Sequence, residues 1–266
     1  MRLMSCAIAV FALSLAGPSV AQDLTIVSNV TRDGGAPAAS VSYISSDHVR
    51  MSQSDGREII VDLKSAQITT LDGKKKTYYV TTRQDMDALA ARMQEQMNSP
   101  EMKKAQESMK SLPAEDQHKM DTAMDGMFAF NAQKSGTTRT IVGYTCENWT
   151  VTMGQFSRTE ECLTTGLKFP PQAWEMYQAF AENMKSMMAA MGPMAKSAAR
   201  MQEQLRKMRG YPLASSTTVD IMGHKSATSR EVTAVKQGPI PASAWEIPAG
   251  YTRIDNPMVR MLAKKK

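Results

Sequence analysis

The beat of apolar residues between Leu24 and Thr82 constrains this chain more than any other feature. Leu24, Ile26 and Val30 alternate with polar neighbours, and Val41-Ser-Tyr43 continues the pattern after Gly34-Gly35-Ala36-Pro37. Three more runs follow in quick succession: Val49-Arg50-Met51, Ile59-Ile60-Val61 with Leu63, and Thr77-Tyr78-Tyr79-Val80. They are punctuated by Ser54-Asp55-Gly56 and Asp72-Gly73. A period of two puts alternate side chains on opposite faces of a strand, and Asp-Gly between such runs supplies the positive-φ residues of a tight hairpin. The segment therefore predicts an antiparallel meander.

The period then switches between three-to-four and two. Asp85 to about Met124 reads as helix, with Met86, Leu89, Met93 and Met97 on one face, a break at Pro100 and a restart after Pro113. Strand character returns from Met127 to about Thr164. Pro170-Pro171 opens a second helical region, Trp174 to Met208, interrupted at Gly192-Pro193 and ended by Gly210-Tyr211-Pro212. Leu213 to Thr252 is again strand-like. The order β, α, β, α, β, without repeating strand–helix–strand units, implies an α+β fold in which one antiparallel sheet carries helices on a single face.

The N-terminus reads as a cleavable signal peptide. Arg2 forms a short positive region, Cys6 to Ala16 an apolar stretch too short to span a membrane, and Ser19-Val20-Ala21 a small-residue cleavage site, so a break is expected between Ala21 and Gln22. Residues 22–266 then form a single domain with helical insertions at about 83–125 and 171–209, and a periplasmic location is expected. The formal charge of +6 falls to +5 when Arg2, the one charged residue of the leader, departs. That charge is scattered over Lys74-Lys75-Lys76, the helices and Lys264-Lys265-Lys266, with no basic stripe interleaved with aromatics, so nucleic acid is a poor partner. No later stretch reaches transmembrane length, and nothing in the sequence sets an oligomeric state.

Two cysteines remain, Cys146 and Cys162, and an even pair in an oxidising compartment reads as a disulfide. They flank two strand-like runs around Gly154, the midpoint of the pair. A hairpin centred there sets the cysteines face to face and, in the same register, sets Glu147 against Glu161, an unfavourable like-charge pair.

The run Val49-Arg50-Met51-Ser-Gln-Ser-Asp55-Gly56-Arg-Glu-Ile59-Ile60-Val61-Asp62, followed by Lys76-Thr77-Tyr78-Tyr79-Val80, resembles a group of uncharacterised bacterial periplasmic proteins allied to the LolA/LolB lipoprotein carriers. The ending Pro241-Ala-Ser-Ala-Trp245-Glu-Ile247-Pro248-Ala-Gly250-Tyr251 is similar to that group's closing strand. The resemblance implies a curved antiparallel sheet, an incomplete LolA-like barrel, with the Met-rich helices covering its concave face; in the carriers that space holds acyl chains.

Catalytic patterns are missing from the sequence. His48, His118 and His224 lie far apart, Gly73-Lys74-Lys75-Lys76-Thr77 lacks the earlier glycine of a phosphate loop, and no Gly-x-Ser-x-Gly elbow occurs. Glu160 and Glu161 are adjacent on a predicted strand and so point to opposite faces. No cofactor, catalytic residue or metal cluster is indicated. The compositional anomaly is methionine, 23 in the chain. Phe180, Met184, Met187, Met188 and Met191 recur at three- and four-residue spacing as one stripe, continued by Met201, Leu205 and Met208. Three readings stay open for the stripe: packed core, a deformable surface for an apolar ligand, and thioether capture of Cu(I). Together these observations lead us to expect a non-enzymatic periplasmic binding protein for a lipid-like or other apolar ligand or partner. The alternative is a Met-rich Cu(I)-binding or oxidation-buffering protein.

Overall fold

The computed structural model describes residues 23–52, 56–127, 129–173, 175, 201, 203–221, 223–257 and 259. The sequence meander folds as β1 (Leu24–Arg32), β2 (Ala38–Ile44), β3 (His48–Ser52), β4 (Arg57–Asp62), β5 (Gln67–Asp72) and β6 (Thr77–Thr81). One strand exceeds expectation. In β5, Ile68 and Leu71 sit three apart and so face opposite sides of the sheet, which breaks the simple alternation; Leu71 is nevertheless fully buried, on the face that residues 238–251 cross, while Ile68 on the other face is half-buried. The lysine run is the β5–β6 turn, with the Asp72 carboxylate accepting from the backbone N–H groups of Lys74 and Lys75.

Helices α1 (Arg83–Met97), α2 (Pro100–Lys110) and α3 (Ala114–Met127) follow, with breaks where the prolines place them. α1 opens on a capping box: the Thr82 hydroxyl accepts from the Asp85 N–H, while the Asp85 carboxylate accepts from the Thr82 N–H at 2.8 Å and from its hydroxyl. No described residue of the three helices is buried, and Met86 is 41 % exposed. Met93 and Met97 of the predicted apolar face lie outside the described side chains. Strands β7 (Phe130–Ile141), β8 (Tyr144–Met153) and β9 (Ser157–Thr164) come next, then, beyond the second helical region, β10 (Tyr211–Ile221) and β11 (His224–Gln237). The closing segment is mostly not a strand. It forms a 3-10 turn at Ala242–Trp245 and only the short β12 (Thr252–Arg253).

All twelve strands join one sheet in the order β12-β6-β5-β4-β3-β2-β1-β11-β10-β9-β8-β7. Every pairing is antiparallel except β12 with β6, which is parallel. β1 lies at the centre, between β2 and β11, so the first strand joins the meander to the C-terminal strands; β12 and β7 are the two edges. The sheet is curved and unclosed. Arg139 on β7 lies 3.5 Å from Glu231 on β11 although β8, β9 and β10 intervene. Four strand spacings in a flat sheet span about 19 Å, more than an Arg and a Glu side chain can bridge, so β7–β11 must curl into a trough.

Register and alternation assign each side chain to one of two faces. The apolar face runs through Ile44, Val49, Val61 and Ile68 across β2–β5, and on β1 through Leu24 and Ile26, both fully buried. On the other half it continues through Val232, Leu163 and Trp149. Leu167, with Phe169 and Ala173, packs into a core cluster that also takes in Ile141, Cys146, Cys162 and Ala214 from the opposite face, as the chain enters the second helical region. Met208, at that region's end, packs beside Trp149.

Cys146 and Cys162 form a disulfide with Cα atoms 5.3 Å apart, both 1 % exposed. The hairpin register differs from the expected one. The loop holds three residues, 154–156, so pairing centres on Gln155 and Cys162 lies opposite Asn148. The slip of two positions preserves the face of every side chain, which leaves the cysteines diagonal neighbours on one face, still within disulfide reach. It also removes the predicted Glu147–Glu161 clash: Glu147 faces Leu163 and pairs with Lys134 at 2.8 Å.

Candidate binding surfaces

The face opposite the apolar one is divided between a strap and a trough. Over β3–β6 it is covered by the segment after β11, which crosses to β12. Arg50, 8 % exposed, holds this strap: its Nη1 donates to the carbonyls of Ala244 at 2.7 Å and Glu246 at 3.3 Å, while Nε and Nη2 engage Glu58 at 2.7 Å. Trp245 stacks on His48 with ring centroids 5.2 Å apart and meets Tyr43 edge-on at 6.2 Å. The Arg-Met and Trp-Glu-Ile motifs, far apart in sequence, are thus two halves of one contact.

Over β7–β11 and β1 the same face forms the trough, with a volume of about 720 Å³. Two cross-strand rows build its floor. One runs Thr31–Ser229–Ser216–Glu160–Thr150, the other Asn29–Glu231–Ala214–Cys162–Asn148. Small side chains at Ala214 and Cys162 deepen the second row, and the Arg139–Glu231 pair spans it. Charges here are internally engaged: the Glu160 carboxylate accepts from the Thr150 hydroxyl and pairs with Arg158. On the β7 side, a register shift at Ser135–Thr137 is held by Ser135 donating to the Asn148 carbonyl and the Asn148 amide donating to Thr137. The described concave surface therefore sets a row of hydroxyls beside apolar members such as Ala214 and Cys162, and the alternation of Ser and Thr in β10 and β11 could have signalled the hydroxyls.

The apolar face also carries polar groups: buried Ser28, Ser40 and Ser42 near its centre, and Ser215, Glu147 and Lys134 towards β7. Trp149 is 4 % exposed and its indole Nε1 has no hydrogen-bond partner among the described residues. Opposite it stands Glu161, whose carboxyl burial pushes above the ordinary carboxylate value. Arg230 donates to the Ser28 hydroxyl at 3.1 Å and the Tyr211 hydroxyl at 2.7 Å. Towards β6 the cover runs out: Met51 is 42 % exposed, and Ile59, Ile68 and Tyr79 are half-buried on the same face.

The residues singled out in sequence as ligand-lining, Phe180, Met184, Met187, Met188 and Met191, lie outside the described residues, as do the methionines of the Cu(I) reading at 184, 188 and 191. Met208, the described end of that stripe, packs on the apolar face, opposite the trough. Among the described residues, no three His, Cys, Asp or Glu side chains converge as metal ligands, and no helix is long and apolar enough to cross a membrane.

A family model described as a domain of unknown function (DUF4412) matches residues 81–251, more than half of the chain. The chain belongs to the DUF4412 family. The matched span takes in the helices, β7–β11 and the strap, so all of the trough except its β1 wall lies inside the DUF4412 region. Two crystal forms of PNGF-II are similar over 92 % of this DUF4412 chain at 10 % identity and a TM-score of 0.39. The chain spans about a third of the length of those proteins, 34 % and 33 %. A LolA superfamily protein, NE2245 from Nitrosomonas europaea, is similar over 86 % of this chain and 91 % of its own, at 6 % identity and a TM-score of 0.17. These likenesses are too distant to argue from. No curated protein matches this sequence.

Proposed function

We propose that this protein is a non-enzymatic binding protein that works in the periplasm and holds a lipid-like or other apolar ligand against the apolar face of its sheet. The observation that carries the reading is the incomplete cover of that face. Apolar side chains buried at β1 and β2 give way at β3–β6 to the part-exposed Met51, Ile59, Ile68 and Tyr79, with Thr70 between Ile59 and Tyr79. Contiguous apolar surface on a soluble protein marks a place where something binds. The Met-rich second helical region adjoins the same side through Leu167 and Met208, and flexible thioethers suit irregular apolar cargo. Export is supported by the signal-peptide pattern and by a disulfide typical of oxidising compartments. A non-catalytic role is supported by the engagement of trough carboxylates with Arg and Thr partners rather than with one another.

The test is uptake of a fluorescent fatty acid by the purified protein. Wild type should bind with enhanced emission, and Ile59→Glu, which sets a charge on the half-covered surface, should weaken binding by about tenfold or more, 1.4 kcal/mol or greater, measured well below the unfolding midpoint, which the variant lowers because Ile59 also packs against the core. Absent uptake, or uptake indifferent to Ile59→Glu, would count against the reading.

A further inference from the structure

We propose that the polar trough is a second, separate binding site, and that it takes a neutral, hydroxyl-rich ligand of the oligosaccharide class. This goes beyond the apolar-ligand reading and rests on the opposite face of the sheet. The trough, at about 720 Å³, has the size of a ligand site. What it offers is hydrogen-bonding capacity that the protein does not use itself. Among the described residues the side chains of Asn29, Thr31, Ser216 and Ser229 make no hydrogen bond, and three of them stand in one row, Thr31–Ser229–Ser216, about 4.8 Å apart from strand to strand. Each hydroxyl both donates and accepts, as does each sugar hydroxyl, so the row can exchange its waters for ligand at little enthalpic cost.

The trough's charges select against an ionic ligand. Glu231 is matched by Arg139 and Glu160 by Arg158; of the other charged lining residues, Arg230 donates to the Ser28 and Tyr211 hydroxyls, and burial favours the neutral form of Glu161. A cation or anion would have to break one of these pairs, whereas a neutral polyhydroxyl chain can lie along them. The floor also disfavours a peptide. At its base the short side chains of Ala214 and the disulfide-bonded Cys162 are buried and offer none of the apolar sockets that alternate side chains of an extended peptide require.

The experiment is titration of the isotope-labelled full chain, followed by amide spectra, with cellotetraose, maltotetraose and chitotetraose in turn, and with a neutral Gly/Ser octapeptide. At least one tetrasaccharide should shift the amides of Thr31, Ser216 and Ser229, and Ser216→Leu, which fills the row, should weaken that binding by more than tenfold while amides of β3–β6 stay in place. Thr31→Val, which removes one hydroxyl at constant shape, serves as the second variant should Ser216→Leu disturb the sheet. The proposal is overturned if no tetrasaccharide perturbs the trough at millimolar concentration, if only the peptide does, or if both variants bind as wild type. None of these outcomes bears on fatty-acid uptake, which is read on the other face.

Discussion

Glu161 is the side chain at which burial and charge conflict most openly. It sits on the apolar face beside Trp149, and burial raises its carboxyl above the ordinary 4.5. A carboxyl with a raised folded-state pKa favours the protonated form in the native protein, so it opposes folding once ionised. The cost is absent below the unfolded value near 4.5, grows as pH rises through it, and is complete above the folded value. Glu161→Gln removes the ionisation. Chemical denaturation across pH should therefore find the variant more stable than wild type at pH 7, with the gap closing as pH falls below about 4.5; a gap independent of pH would refute the assignment. None of this was legible in the sequence, where Glu160 and Glu161 read correctly as facing opposite ways, but which of them met water depended on strands far away in the chain. Trp149 was equally opaque. An indole on a strand does not announce that its N–H lacks a partner, since that depends on Leu163, Ala132 and Met208 arriving around it.

At the scale of elements, local chemistry was read well and register less so. Asp-Gly at the β5–β6 turn, prolines 100 and 113, and the Cys146–Cys162 pair all appear where residue type places them, because each effect is decided within a few residues. The β8–β9 register was off by two because Gly154 alone does not set loop length; Phe156 donating to the Met153 carbonyl closes a three-residue loop instead. β5 was missed because its second face is buried by the strap, which no local period can reveal. The disulfide spans 16 residues of this hairpin. Closing a loop of that length stabilises by about 3 kcal/mol, so reduction should lower the melting temperature by about 6–12 °C in a chain of this size. Differential scanning calorimetry with and without reductant measures this, and an unchanged midpoint after verified reduction would show that the hairpin is held by packing alone.

Over the whole molecule, the sequence anticipated a curved antiparallel sheet, yet not the assignment of its surfaces. The concave trough carries rows of hydroxyls beside apolar members such as Ala214 and Cys162, and the face opposite it receives Met208 beside Trp149. Alternation identifies two faces of a strand but cannot say which becomes concave; that follows from the curl which brings Arg139 to Glu231. The joining of β1 to β11 and the strap clamped by Arg50 are likewise long-range contacts, with separations of 196 to 213 and 194 residues. The resulting sheet presents one apolar face that its own chain covers only in part, and the functional account rests on that incompleteness. Native mass spectrometry of protein produced with its leader and purified from the periplasm without detergent tests it most directly. The account predicts a bound species of lipid-like mass on wild type, released by organic solvent and depleted in Ile59→Glu; a ligand-free mass for wild type, or an adduct retained equally by the variant, would contradict it.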